Sequence, residues 1–159
     1  MGKVKLDEID HQILDMLIDN TRTPFTDIAK KLLISAGTVH VRVKKMEESG
    51  IIRGSSLTLD YVKLGYAFIA YVGVFLEKTH QTKFVLERLE QIPNVTIAHI
   101  TTGKFNIFCK IRAKDTTHAK NIIFSIDDID GISRTETMIS LEESFNDKKR
   151  LMHMIFNEL

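Results

Sequence analysis

One cysteine, two prolines, almost no net charge and no long apolar run set the first limits on this chain of 159 residues. The lone Cys109 excludes an internal disulfide framework and an all-cysteine zinc site, and it fits a reducing compartment. No apolar stretch approaches the ~20 residues that span a bilayer. The N-terminal segment carries Lys3 and Lys5 without the apolar core of a signal peptide, so the expectation is a cytoplasmic protein with no membrane role. With only Pro24 and Pro93 to interrupt it, and no low-complexity tract, most of the chain should lie in regular elements joined by short loops. Lys and Arg number 22 against 21 Asp and Glu, and a formal charge of +1 announces neither a nucleic-acid binder nor a polybasic anchor.

What is present changes character near residue 60. Hydrophobic residues make up 43% of the chain, enough for a core. From Leu6 to Met46 they fall at helical spacing. Leu6, Ile9, Ile13, Leu14, Leu17 and Ile18 form one stripe, with Asp7 as N-cap and Asp10 three residues on. Thr23-Pro24 reads as an N-cap followed by proline at the first helical position, and Phe25, Ile28, Ala29 and Leu32 give a short second helix. Ser35 caps a third helix with Val39, Val43 and Met46 facing inward and Thr38, His40, Arg42 and Lys45 facing away; Gly50 ends it. Long helix, short helix, three-residue turn and polar-faced helix is the layout of a helix-turn-helix.

Beyond Gly65 the period shifts toward two. Residues Gly65 to Leu76, Val95 to Thr102, Phe105 to Arg112 and Ile132 to Leu141 read as strands. Helices Thr82 to Gln91 and Thr116 to Asp127 fall between the first pair and the last pair. The order strand-helix-strand-strand-helix-strand is the βαββαβ, ferredoxin-like unit. The class is therefore α+β, with domains over 1–60 and 61–143 and a helical tail over 144–159. In the first strand Tyr66, Phe68, Ala70, Val72, Val74 and Leu76 occupy one face, yet Ala67, Ile69, Tyr71, Gly73 and Phe75 make the other face apolar as well. Two helices cover one face only, so a partner subunit is expected on the second, unless the N-terminal domain or the tail covers it.

Charge is local where it matters. Between Lys30 and Arg53, Lys30, Lys31, Arg42, Lys44, Lys45 and Arg53 face only Glu47 and Glu48, a local excess of four positive charges. Phosphate neutralisation supplies most non-specific DNA affinity, and short polar side chains at a helix N-terminus approach base edges closely. Ser35, Thr38, His40 and Arg42 are expected to reach bases, and Lys31, Lys44, Lys45 and Arg53 the phosphates of double-stranded DNA.

The segment Thr101-Thr102-Gly103-Lys104-Phe105-Asn106 joins two strands. It is either a plain hairpin turn, its glycine supplying a positive φ, or a cradle of backbone N–H groups and a cation for a carboxylate, with Asn106 orienting an amide or ammonium. The histidines are scattered without ligand spacing, so no metal and no cofactor is expected. Cys109 has no nominated base and alternates with Ile107 and Ile111 as a core residue would. No catalytic residues are nominated. Lys148, Lys149 and Arg150 read as the solvated face of a tail helix whose stripe is Leu151, Ile155 and Phe156 or Leu159.

Leu6-Asp7-Glu8-Ile9-Asp10, Ile28-Ala29-Lys30, Leu33-Ile34-Ser35, Arg42-Val43-Lys44 and Gly50-Ile51-Ile52 together resemble the DNA-binding domain of the Lrp/AsnC family of transcriptional regulators. Leu64-Gly65, Thr101-Thr102-Gly103 and Thr135-Glu136-Thr137 resemble its effector-binding and oligomerisation domain, nearest the asparagine synthetase regulator branch. The resemblance implies a winged helix-turn-helix, a linking strand over Ile51 to Leu59, and homodimers assembled into octamers. It also implies an amino-acid effector, asparagine first, held by Thr101, Gly103, Lys104, Phe105 and Asn106 of one subunit with Ser133 and Thr135 of a neighbour. Many members carry an aspartate where Asn106 stands, and the segment beyond Glu143 is longer here. Two other readings stay open: a ligand-independent architectural repressor and a ferredoxin-like metabolite-binding enzyme.

Overall fold

In the computed structural model, which describes residues 5–147 and 149–157, the chain divides into two compact units. The first comprises residues up to Thr58 together with the tail from Phe145; the second runs from Leu59 to Ser144.

Helix α1 (Glu8–Asp19) starts at a reciprocal capping box: the Asp7 carboxylate accepts from the Asp10 N–H while Asp10 accepts from the Asp7 N–H. Helix α2 (Phe25–Leu32) begins one residue later than its sequence suggests. Pro24 occupies the cap position, and the Thr23 hydroxyl donates instead to the Asn20 carbonyl, closing the preceding turn. Leu33 takes a left-handed conformation (φ 57°), unusual for a branched residue, and this turns the chain sharply into α3 (Ala36–Glu48). Ser35 caps α3 by accepting from the Thr38 N–H at 3.0 Å, and Gly50 at φ 75° terminates it. Ile13, Leu14, Ile28, Ala29, Val39, Val43 and Met46 form the core of this unit.

Helix α6 (Lys149–Asn157) belongs to the same unit, and its packing face differs from the expected stripe. Met152 and Phe156 pack on the core while Leu151 and Ile155 stay exposed. Charge sets this register. Lys149 pairs with Asp15 at 3.3 Å and with Asp19, and the His153 ring lies 2.9 Å from Asp15, holding that carboxyl below its ordinary range. Lys149 is therefore half-buried in ion pairs and not on a solvated face; Lys148 and Leu159 lie outside the described residues. The Phe156 ring stacks on His11 at 3.7 Å, nearly parallel. Replacing Phe156 with alanine should lower the melting temperature of this unit by about 5 °C in a thermal denaturation, the cost of a half-buried ring in a small domain.

The second unit is a four-stranded antiparallel sheet of order β2-β3-β1-β4, built from β1 (Phe68–Leu76), β2 (Val95–Ile100), β3 (Ile107–Ala113) and β4 (Ile132–Ile139). Helices α4 (Thr82–Glu90) and α5 (Thr116–Asp127) cover one face. Ala70, Val72, Val74, Ile107, Cys109 and Ile111 pack there against Val85, Leu89, Ala119, Ile122 and Ile126. Burial pushes the Cys109 thiol up to about 11, which keeps it a packing residue. The strands are shorter than their β-rich sequences at the loop ends, because Thr101 to Asn106 closes on itself. No ladder includes residues 51–59, so the expected linking strand is not formed among the described residues; a strand needs a paired neighbour and no described segment supplies one.

Candidate DNA-reading helix and effector loop

In the first unit the exposed side of α3 carries Gly37, Thr38, His40, Val41, Lys44 and Lys45, opposite the buried Val39, Val43 and Met46. Lys31, Ser35 and Arg53 are exposed as well. Ser35 and Thr38 share a hydroxyl contact of 2.8 Å, so the first turn presents a fixed polar pair. His40 leans toward the Phe25 ring, 6.0 Å between centroids. Lys44 lies 3.8 Å from Glu48, a loose and fully solvated pair that leaves its charge available.

Arg42 departs from the expected base-reading role. Its Nη1 donates to Asp7 at 2.7 Å and to Asp10 at 2.8 Å, and the side chain is only 26% exposed. The guanidinium holds the Asp7 carboxyl below its usual range, and the two carboxylates raise Arg42 in turn. In this structure the side chain is turned to the α1 cap and not outward from α3. Arg42 is a brace that fixes α3 to the start of α1. An open hollow of about 750 Å³ lies over this brace, walled by Thr38, Val41 and Lys45. Val41, 66% exposed, is the residue the sequence reading missed. Its signal was present in the spacing: it stands three residues after Thr38 and four before Lys45, on one helical stripe.

In the second unit Thr101 to Asn106 turns between β2 and β3 and bonds to itself. The Thr101 N–H donates to the Asn106 carbonyl at 3.1 Å and the Thr101 hydroxyl donates to the Phe105 carbonyl. Gly103 has no positive φ, contrary to the hairpin expectation, and nothing lies within 4 Å of where its Cβ would be. The Asn106 side chain is anchored: its Oδ1 accepts from the Leu76 N–H at 3.0 Å, which leaves the carboxamide NH₂ as its outward group. Phe105 lies over Gly73 on the helix-free face of the sheet, its ring edge-on to Phe75 at 5.2 Å and stacked on Phe108 at 5.8 Å. Lys104 reaches across to Glu136 on β4, which also accepts from Arg134, and Lys104 holds the Glu136 carboxyl below its ordinary range.

Ser133 and Thr135 are not brought to the loop within the chain. The Ser133 hydroxyl donates to the Phe75 carbonyl at 3.1 Å and the Thr135 hydroxyl bonds Asp127 at 2.7 Å. The same helix-free face carries Tyr71 stacked on Phe108 at 5.6 Å and leaves Ile97 and Met138 more than two-fifths exposed.

Residues 6–53 match the family described as winged helix-turn-helix DNA-binding, and residues 69–149 match the Lrp/AsnC ligand binding domain, so nearly all of α6 lies beyond both. The chain is 37% identical over 138 residues to "Regulatory protein AsnC" of Haemophilus influenzae, covering 86% of this chain and 92% of that one. The solved structure of Escherichia coli AsnC aligns with a TM-score of 0.87 at 33% identity, over 91% of this chain and 97% of its own. A feast or famine regulatory protein from M. tuberculosis, solved in complex with L-methionine, shares the fold at a TM-score of 0.82 and 22% identity, over 91% of this chain and 97% of its own. No helix among the described residues is long and apolar enough to cross a membrane.

Proposed function

Because the chain belongs to the Lrp/AsnC family, and is thus a transcriptional regulator with an amino-acid-binding domain, we propose that it reads its operator with α3 and senses asparagine at the Thr101 to Asn106 loop. One observation carries the DNA half of this reading. A Ser35-capped helix, braced from behind by Arg42, leaves a solvent stripe of Thr38, Val41, Lys44 and Lys45 with, among the described residues, no ionic partner nearer than the loose Glu48 contact. Ser35, Thr38 and His40 lie at the base-reading end, while Lys31, Lys44, Lys45 and Arg53 contact phosphates. Arg42 is assigned the supporting role.

The effector reading rests on what each loop group has left to offer. With one acceptor position of its oxygen taken by the Leu76 N–H, Asn106 offers chiefly its NH₂ donors. It therefore suits a carboxylate or the carboxamide oxygen of asparagine better than an ammonium group. The open space at Gly103 admits a ligand close to the backbone, and Lys104, ion-paired with Glu136 beside the Phe105 ring, offers a carboxylate its remaining N–H donors. Ser133 and Thr135 join the site from a neighbouring subunit. Dimers form across the helix-free sheet face and assemble into octamers, so a ligand touching two subunits shifts assembly by binding one arrangement better than another. Paired reading heads then require half-sites about one helical turn apart, or a multiple of it. The regulator works in the cytoplasm, on the chromosome.

The test is duplex DNA binding by the full chain across a salt series, without and with asparagine, methionine serving as comparator. Lys44→Ala combined with Lys45→Ala should reduce the slope of log affinity against log salt by about 2 for each reading head, about 4 for a dimer on both half-sites. Asparagine should shift the affinity or the sedimentation of the complex more than methionine does. An unchanged slope would remove the two lysines from the phosphate contacts; no response to asparagine would overturn it as the effector.

A further inference from the structure

We infer that Val41 sets operator specificity by packing against the C5-methyl group of one thymine in each half-site, a reading that rests on α3 being the DNA-reading helix. A lone exposed valine is ordinary on a protein surface. Its place here is not. Val41 stands at the middle of the solvent stripe, 66% exposed and outside the core cluster, one turn beyond Thr38 and one turn before Lys45. Of the side chains that flank it in sequence, one stays exposed and one is held by the protein. His40 leans on Phe25 and Arg42 is bound by Asp7 and Asp10.

Gly37 completes the geometry. Helical side chains lean toward the N-terminus, so the isopropyl group of Val41 lies over the turn that contains Gly37, four residues earlier. A Cβ at Gly37 would meet only the Ser35 Oγ, at 3.7 Å, and its φ is not positive. Neither the backbone nor the packing of the chain requires glycine there, although glycine within a helix costs about 1 kcal/mol relative to alanine. The bare backbone and the two methyls of Val41 form one shallow apolar step between polar neighbours. Valine has no donor or acceptor, so it cannot read the hydrogen-bonding edge of any base. In the major groove the one apolar feature of the standard bases is the thymine methyl, and a β-branched side chain above a bare helix turn is shaped to take it.

The experiment uses the full chain and a pool of random duplex DNA to obtain the preferred operator. Each thymine of that operator is then replaced by deoxyuracil, symmetrically in both half-sites, and affinities are measured for the wild type and for Val41→Ala. One position should weaken wild-type binding about fourfold per half-site, the value of a single buried methyl. At that position Val41→Ala should show no penalty. Since Val41 lies outside the core and is 66% exposed, its alanine variant should melt within about 1 °C of the wild type, so a changed profile reports recognition and not folding. If Val41→Ala keeps every deoxyuracil penalty of the wild type, the assignment of Val41 is overturned while α3 remains the reading helix. If the wild type enriches no sequence and binds no duplex, the DNA-reading function itself falls.

Discussion

Replacing Arg42 with alanine should lower the melting temperature of the DNA-binding unit by about 10 °C, and most of its effect on DNA affinity should follow from that. The guanidinium bridges two carboxylates that begin α1, and Asp10 is 91% removed from solvent, with little water to compensate its charge once the partner is gone. Stranding a carboxylate costs 3–5 kcal/mol in a true interior. Asp7 is more than half exposed in its side chain, so its share is strongly screened. An overall loss of about 2 kcal/mol is the consistent figure, and in a unit of this size it corresponds to about 10 °C. Acidity gives the control. The Asp7 carboxyl is held below its ordinary range by Arg42, so its contribution is complete above about pH 4 and fades as pH falls through the lowered value. The Arg42→Ala penalty in a thermal melt should therefore shrink in strong acid. A variant that melts like the wild type at neutral pH but loses DNA affinity would return Arg42 to the bases.

This residue also shows where sequence reading stops. The capping signals of α1 and α3 were legible because Asp7, Asp10 and Ser35 act on backbone groups within three residues. The core stripe of α3 followed from helical period alone. Whether Arg42 faces DNA or the protein was not legible, because its partners lie 32 and 35 residues away on another helix. The tail failed for the same reason: its stripe is selected by Asp15 and Asp19 of α1, distant in sequence, and not by the apolarity of Leu151 and Ile155. In the second unit the succession of strands and helices along the chain followed from local pattern, and the apolar second face of β1 was visible as an anomaly. The loop roles were not. Asn106 looked free to hold an ammonium group until its oxygen was found on the Leu76 N–H, a contact across 30 residues.

Gly73→Ala should be the most disruptive single-methyl change in the sheet unit. Gly73 sits in mid-strand with no positive φ, so the backbone tolerates alanine, and the obstacle is purely the ring above it. A Cβ there would lie 2.3 Å from Cδ1 and 2.4 Å from Cε1 of Phe105, distances that real atoms do not share. The strand is buried and paired on both sides, with Phe108 and with Glu136, so the ring must leave. It then loses its stack on Phe108 and its edge contact with Phe75. Exposing such a ring costs about 2–3 kcal/mol, a fall in melting temperature of about 10 °C for this unit. The loop moves with it, because the Phe105 carbonyl anchors the Thr101 hydroxyl and the next residue is Asn106. If asparagine is the effector as proposed, its affinity, read by calorimetric titration, should drop at least as far as stability does. A double-mutant cycle isolates the cause. Once Phe105→Ala has removed the ring, adding Gly73→Ala should cost almost nothing further, and fully additive penalties would show that the methyl clashes with the sheet and not with Phe105.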